Sequence, residues 1–269
     1  MRNFLLTYDS DETESRMSHT TDLKSARKSY VKGANSNLIF LLKHRAVWMN
    51  EWLRTESVGI ELGAGIGSNL DFIICEKLEL SDIGENDWLD FKNLDSLETG
   101  LANETYDFVI ASNMIHHVAY PTVFFNESNR ILKPGGMLFI QEINSSLFMR
   151  LILKLMKHEG FDETINVFDS TSPVNSKDDP WSANCSVPKL LFGNLQQFYL
   201  NFPQWDVIHL KPTEFLIFLN SGGVIAKTRY IPLTNNLLRI FSCIDAILCR
   251  IAPKIFALQM QVILRKKMS

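Results

Sequence analysis

Cysteine is scarce and scattered: Cys75, Cys185, Cys243 and Cys249 are the only four in 269 residues, and no two form a C-x-x-C pair. That argues against a zinc site or a disulfide framework and fits a reducing compartment. Positive charge is not in excess, with 27 Lys and Arg against 30 Asp and Glu. The basic footprint needed to grip nucleic-acid phosphates is therefore missing. No uncharged apolar run reaches the length of a membrane span. The N-terminal stretch carries Asp9, Asp11, Glu12 and Glu14 where a secretory signal would be apolar. Internal repeats and low-complexity tracts are lacking too. What remains is a chain of ordinary hydrophobic fraction, 46%, long enough for one α/β domain with an extra lid, or for a domain and a half. A cytoplasmic protein is the expectation.

The most informative stretch present is Val58-Gly-Ile-Glu-Leu-Gly-Ala-Gly-Ile-Gly-Ser-Asn69. Residues 58–62 read as a buried strand in which Gly59 is the weak spot. Glycines 63, 65 and 67 then turn the chain, and Ser68 to Cys75 is expected to begin a helix. Backbone free of side chains at alternate positions can lie against a ligand, and free amides at a helix start favour electron-rich atoms. A dinucleotide fingerprint would place its third glycine where Ser68 stands. Here the third glycine is Gly67, and an acid, Glu61, precedes the first by two positions. A tight turn without a ligand is the plainer alternative.

The surrounding order adds to the signal. Leu78–Ile83 reads as a second strand, with Asp82 nineteen residues after Gly63, where a carboxylate can accept ribose hydroxyls. Tyr106–Ala111 is a third buried strand, followed by Ser112-Asn-Met-Ile-His-His117. Pro121–Leu132 reads as a helix stopped by Lys133-Pro-Gly-Gly136, and Met137–Glu142 as the next strand. Together these segments resemble the class I S-adenosylmethionine-dependent methyltransferases. The resemblance implies a Rossmann-like α/β fold: a seven-stranded, mostly parallel sheet with an antiparallel last strand, and a lid after the fifth strand. Glu61, Gly63, Ala64 and Gly65 would line the methionine end of S-adenosylmethionine. Asp82 would hold the ribose and Ile83 would pack on adenine. An Asp-Ala pair common in the family aligns with Asn93 and Leu94 here, with Asp95 next. Ser112 and Asn113 would face the methionine amino group.

Four further pieces, Ser81–Asp90, Asn113–His117, Lys157–Glu159 and Asp179–Asn184, resemble a narrower group. These are bacterial methyltransferases found with sugar, lipopolysaccharide and natural-product biosynthesis genes. That resemblance implies a small-molecule or glycan acceptor, with a sugar hydroxyl first; a non-sugar metabolite and a catalytically inactive cofactor-binding subunit are the alternatives. A hydroxyl acceptor must lose a proton, which histidine can take. The candidates, in order, are His117, His158 and His116, weighed against a His-His pair that only ties its own loop. No cluster shows metal-ligand spacing.

The expected divisions are a cap and helix over 1–56, with weak structure signals before Ser36, and a cofactor-binding core over 57–144. An irregular, aromatic-rich insertion follows over 145–204, after an apolar helix from Ser145 to His158. Residues 205–269 return to the sheet, with a strand from Trp205, a short helix over Thr213–Asn220, an amphipathic helix over Asn235–Ala252 and a last strand over Gln259–Lys266. The last strand would insert antiparallel between its two predecessors. With Arg239, Arg250 and Lys254, the amphipathic helix has the chemistry for peripheral membrane contact, against the plainer reading of a core-covering helix with a solvated edge.

Overall fold

A computed structural model describes residues 19–156, 159–179, 181–225 and 227–268. Among these, six strands form one sheet in the order β2-β1-β3-β4-β6-β5. They are β1 (Val58–Leu62), β2 (Lys77–Ser81), β3 (Tyr106–Ser112), β4 (Leu132–Ile143), β5 (Trp205–Thr213) and β6 (Gln259–Lys266). Strands β2, β1, β3 and β4 are parallel, and β6 runs antiparallel to both β4 and β5. The expected insertion of the last strand is therefore present.

The expected seventh strand is not found among the described residues. Between β2 and β3 the chain is rich in Asp, Asn and Gly, which favour turns over ladders. Edge pairing there shrinks to a single parallel bridge, Ser81 to Phe91. The helix expected from Ser68 is likewise only a 3-10 turn, Ser68–Asp71. Asn50 takes up the backbone that a helix would have used: its Oδ1 accepts from Ile74 N and its Nδ2 donates to Phe72 O, both at 2.9 Å. No extended helix dipole then faces the glycine loop.

Both sheet faces are covered. Ile60, Val109, Ala111, Leu138 and Ile140 point to one face, and Phe108, Ile110, Phe139 and Ile263 to the other, as strand alternation requires. Helix α3 (Pro121–Ile131) packs Phe124 and Phe125 on the first face. Within the insertion, expected to be irregular, α5 (Val187–Phe192) and α6 (Leu195–Asn201) add Phe192 and Phe198 to that core. Pro188 starts α5, and Asn194 caps α6 by accepting from Gln197 N. The second face receives Met49 and Trp48, which follow α2 (Ser36–Val47). Preceding it is α1 (His19–Val31), unexpected from its polar sequence. Its Leu23, Ala26 and Tyr30 pack on α2 and on Ile66 of the glycine loop.

Gly59 has a packing reason. A Cβ there would lie 2.3 Å from the Phe108 ring. Gly59→Ala should therefore cost about 1–3 kcal/mol of stability by overpacking, read as a lower urea midpoint. An unchanged midpoint would mean that Phe108 moves aside freely.

The remaining helices are α4 (Leu147–Met156), α7 (Leu216–Leu219), α8 (Asn235–Ile251) and α9 (Pro253–Phe256). A buried bidentate pair ties α2 to the residue after β5: Arg45 Nη2 lies 2.7 Å and Nε 3.0 Å from the two Glu214 oxygens. Glu214 has a left-handed φ of 59°. Among the described residues no helix is long and apolar enough to cross a membrane.

Candidate functional site

The carboxyl ends of β1, β2, β3 and β4 meet at one rim. The loop after β1 has Gly63, Gly65 and Gly67 at φ of 68°, 54° and 67°, a conformation costly for residues with a Cβ. At Gly63 a Cβ would also lie 2.6 Å from Met114 Cγ. The loop is pinned at both ends. Ala64 N donates to Ser81 O at 2.9 Å, and Gly65 N donates to Asp82 Oδ2 at 2.9 Å. Trp88 Nε1 donates to Gly65 O, and Arg27 of α1 donates to Ile66 O. Asp82 Oδ1 accepts from Gly84 N at 3.1 Å, and each of its oxygens has a lone pair left for another donor.

Glu61 is buried at the tip of β1. Burial pushes its carboxyl up to about 8, the hydrogen bond from Asn69 opposes that, and the charge of Asp82 adds to it. Asn69 Nδ2 donates to Glu61 Oε1 at 2.7 Å and to Ser112 Oγ at 3.2 Å, while Glu61 Oε2 has no hydrogen-bond partner. A buried carboxyl with one oxygen unspent is a ready acceptor for a cationic ligand group. Ile83, beside Asp82, is 53% exposed and offers an aliphatic face. Asn93, exposed at φ 53°, instead donates Nδ2 to Glu85 Oε1 at 2.8 Å. Leu94 is buried and spends its amide on Asp82 O. Ser112 and Asn113 are half-buried at the end of β3. Asn113 has a φ of 50° and donates its amide to Gln141 O at 2.7 Å.

After Asn113 the chain forms a turn around a carboxylate that the sequence did not single out. Glu142, at the end of β4, accepts from Met114 N and Ile115 N, and Nδ1–H of His116 donates to its Oε1 at 2.6 Å. Burial opposes charge on His116, but Glu142 and then Glu159 outweigh it and raise the imidazole above its usual range. Burial likewise opposes charge on Glu142, and His116 outweighs it, holding the carboxyl low. The pairing follows from strand order: β3 and β4 are neighbours in register, Ser112 opposite Gln141, so the residues just beyond meet.

The insertion closes over the same turn. Asn184 N and Asn175 Nδ2 donate to His116 O at 2.8 and 2.9 Å. His117 Nδ1–H donates to Ser182 O at 3.2 Å, leaving Nε2 with its lone pair. Burial, and then the charge of His116, pushes His117 down to about 4, so it is neutral near pH 7. Trp181 meets the His117 ring edge-on at 6.4 Å. Glu159 approaches His116 Nε2 at 3.9 Å and accepts from Cys185 Sγ at 3.0 Å. One donor atom each from His116, His117 and Glu159 lie within 4.8 Å of one another. Two imidazoles and a carboxylate suit a transition-metal dication, so a cation-sized cluster exists where spacing along the chain suggested none. His158 lies outside the described residues. A separate cavity of about 540 Å³ opens between α1, α2 and the 222–230 loop and is lined by none of these carboxylates or histidines.

Residues 34–173 match the family model of a methyltransferase domain. The fold is shared with a SAM-dependent methyltransferase from Archaeoglobus fulgidus, at 16% identity, TM-score 0.53, 89% of this chain and 97% of the other. A ubiquinone biosynthesis O-methyltransferase from Parvibaculum lavamentivorans is 32% identical over 59 residues, 22% of this chain and 23% of that protein. Fusarin C synthetase from Gibberella fujikuroi is 40% identical over 53 residues, 20% of this chain. The matched stretch spans 1% of that synthetase.

Proposed function

Because the chain belongs to the S-adenosylmethionine-dependent methyltransferases, we propose that it methylates an oxygen of a small acceptor, with a sugar hydroxyl of a cell-surface glycan precursor or glycosylated natural product as the first choice. The carrying observation is the rim itself, with a spare buried carboxyl oxygen on β1 and a neutral histidine beyond β3. S-adenosylmethionine supplies a methyl on a sulfonium, open to in-line displacement. Glu61 and the loop at Gly63, Ala64 and Gly65 would hold its methionine end, together with Ser112 and Asn113. Asp82 would hold the ribose, and Ile83 would cover one adenine face. His117 Nε2 takes the acceptor proton, while the His116–Glu142 pair fixes the turn that presents it. The insertion, latched to His116 O, excludes water from the acceptor side.

Sugar as acceptor is supported by the narrower resemblance in residues 81–90, 113–117, 157–159 and 179–184 alone. The partial likeness to the ubiquinone O-methyltransferase favours a second reading, a hydroxyl on a non-sugar metabolite. Methyl transfer to a panel of nucleotide sugars, glycosides and phenols separates the two. Turnover with none of them, alongside tight cofactor binding, would leave a binding subunit.

Cofactor binding tests the first half of the reading. Asp82→Ala removes the ribose acceptor and frees Gly65 N, so S-adenosylhomocysteine affinity by calorimetry should fall roughly 10- to 100-fold, the scale of one or two hydrogen bonds to a charged group. Unchanged affinity would overturn the ribose assignment.

A further inference from the structure

Helices α4, α8 and α9 pack into one layer: Met149 and Leu153 share a cluster with Cys249 and Ala257, and Phe148 stacks on Phe256. The outward side of that layer is also apolar. Leu147, Leu151 and Leu155 recur every four residues on α4, with exposures of 49–62%. On α8, Ile240, Ile247 and Ile251 stand 53–77% exposed. A run of large aliphatics on adjoining helices exceeds the scattered singles of an ordinary surface.

The segments that build this face carry charge of one sign at their exposed positions, and Glu163 of the insertion lies beside them, 4.0 Å from Arg150. Residues 143–158 contain no acid, and residues 215–257 contain only Asp245. Asp245 is buried and spent on the amides of Phe215, Leu216 and Ile217 at 2.8–3.1 Å. Lys154, Arg239, Arg250 and Lys254 are exposed. None of these four has an ion-pair partner among the described residues. The whole chain, by contrast, carries a net −3, so these segments run against its overall balance.

We infer that this face docks on an anionic lipid bilayer, lying in the interface plane without crossing it. Aliphatic side chains enter the headgroup boundary while the flanking cations meet lipid phosphates. A second copy is the poorer occupant. A two-fold contact would set this patch against itself, cation against cation, with no acid to relieve it. The face also borders the candidate site, since α4 begins just after β4, whose Glu142 holds His116. The membrane contact stands without the acceptor reading above.

Cosedimentation of the full chain with phosphatidylcholine vesicles, with and without phosphatidylglycerol, tests it. Binding should need the anionic lipid, weaken with salt, and fall at least tenfold in Ile247→Glu/Ile251→Glu. Retained S-adenosylhomocysteine binding by that variant shows that its fold and cofactor site are intact. No vesicle binding, or equal binding to neutral vesicles, overturns the proposal. So does a dimer in sedimentation equilibrium that the same substitutions dissolve.

Discussion

Arg45→Ala is expected to lower folding stability by about 3–5 kcal/mol, the range for leaving one member of a buried pair without its partner. Glu214 is fully buried, and its carboxylate receives Arg45 Nε and Nη2 together. Among the described residues, Gln141 Nε2, at 3.3 Å, is the other donor to it. Removing the guanidinium strands that charge between α2 and the end of β5. Urea unfolding of Arg45→Ala, Glu214→Gln and the double variant Arg45→Met/Glu214→Met gives the check. The double variant should recover much of the loss, since paired removal leaves no orphaned charge. A single-variant loss under about 1 kcal/mol, the scale of a surface pair, would contradict the buried geometry.

His117→Ala should slow methyl transfer roughly a hundredfold or more if Nε2 receives the acceptor proton, with S-adenosylhomocysteine affinity unchanged. His117→Asn is the companion variant, because its Nδ2 stands where Nδ1 does and can keep the hydrogen bond to Ser182 O. A near-normal rate in both variants would remove His117 from the chemistry. A chelator arm separates two uses of the same atom. Rates that ignore EDTA fit a proton acceptor. Rates that collapse with EDTA and return with Mn²⁺ would assign His116, His117 and Glu159 to a bound dication, whose charge acidifies the acceptor hydroxyl instead.

Much of this architecture is legible in the residues. Periodicity locates β1, β3, α3, α8 and β6. Lys133-Pro-Gly-Gly136, expected as a turn ahead of a strand from Met137, instead lies within β4, where the register skips from Leu132 to Met137. What escapes depends on partners distant in sequence. Helix α1 reads as polar, and among its described side chains Leu23, Ala26 and Tyr30 are the ones in the core. The missing helix after Gly67 reflects Asn50, far upstream, taking over the backbone groups of Phe72 and Ile74.

The site divides the same way. Glu61, Gly63, Gly65 and Asp82 stand out from spacing alone, and Asp82 does hold the loop at Gly65. Glu142 was hidden at the end of an apolar strand, while Glu159 stood out only within Lys157–Glu159, with nothing to say which residues it meets. Their meeting with His116 is a product of strand order and of the insertion folding back, and neither is written locally. The aromatics of the insertion divide as packing predicts: Phe192 and Phe198 are core, while Trp181 faces His117.

Strand β6 is made after β5 yet lies between β4 and β5. A nascent chain that has emerged only as far as β5 therefore holds two strands with nothing to bridge them, each offering a raw edge to neighbours. Completion of the sheet must wait until Gln259–Lys266 leaves the ribosome and threads that gap, so premature termination before it should yield aggregates rather than a smaller working enzyme.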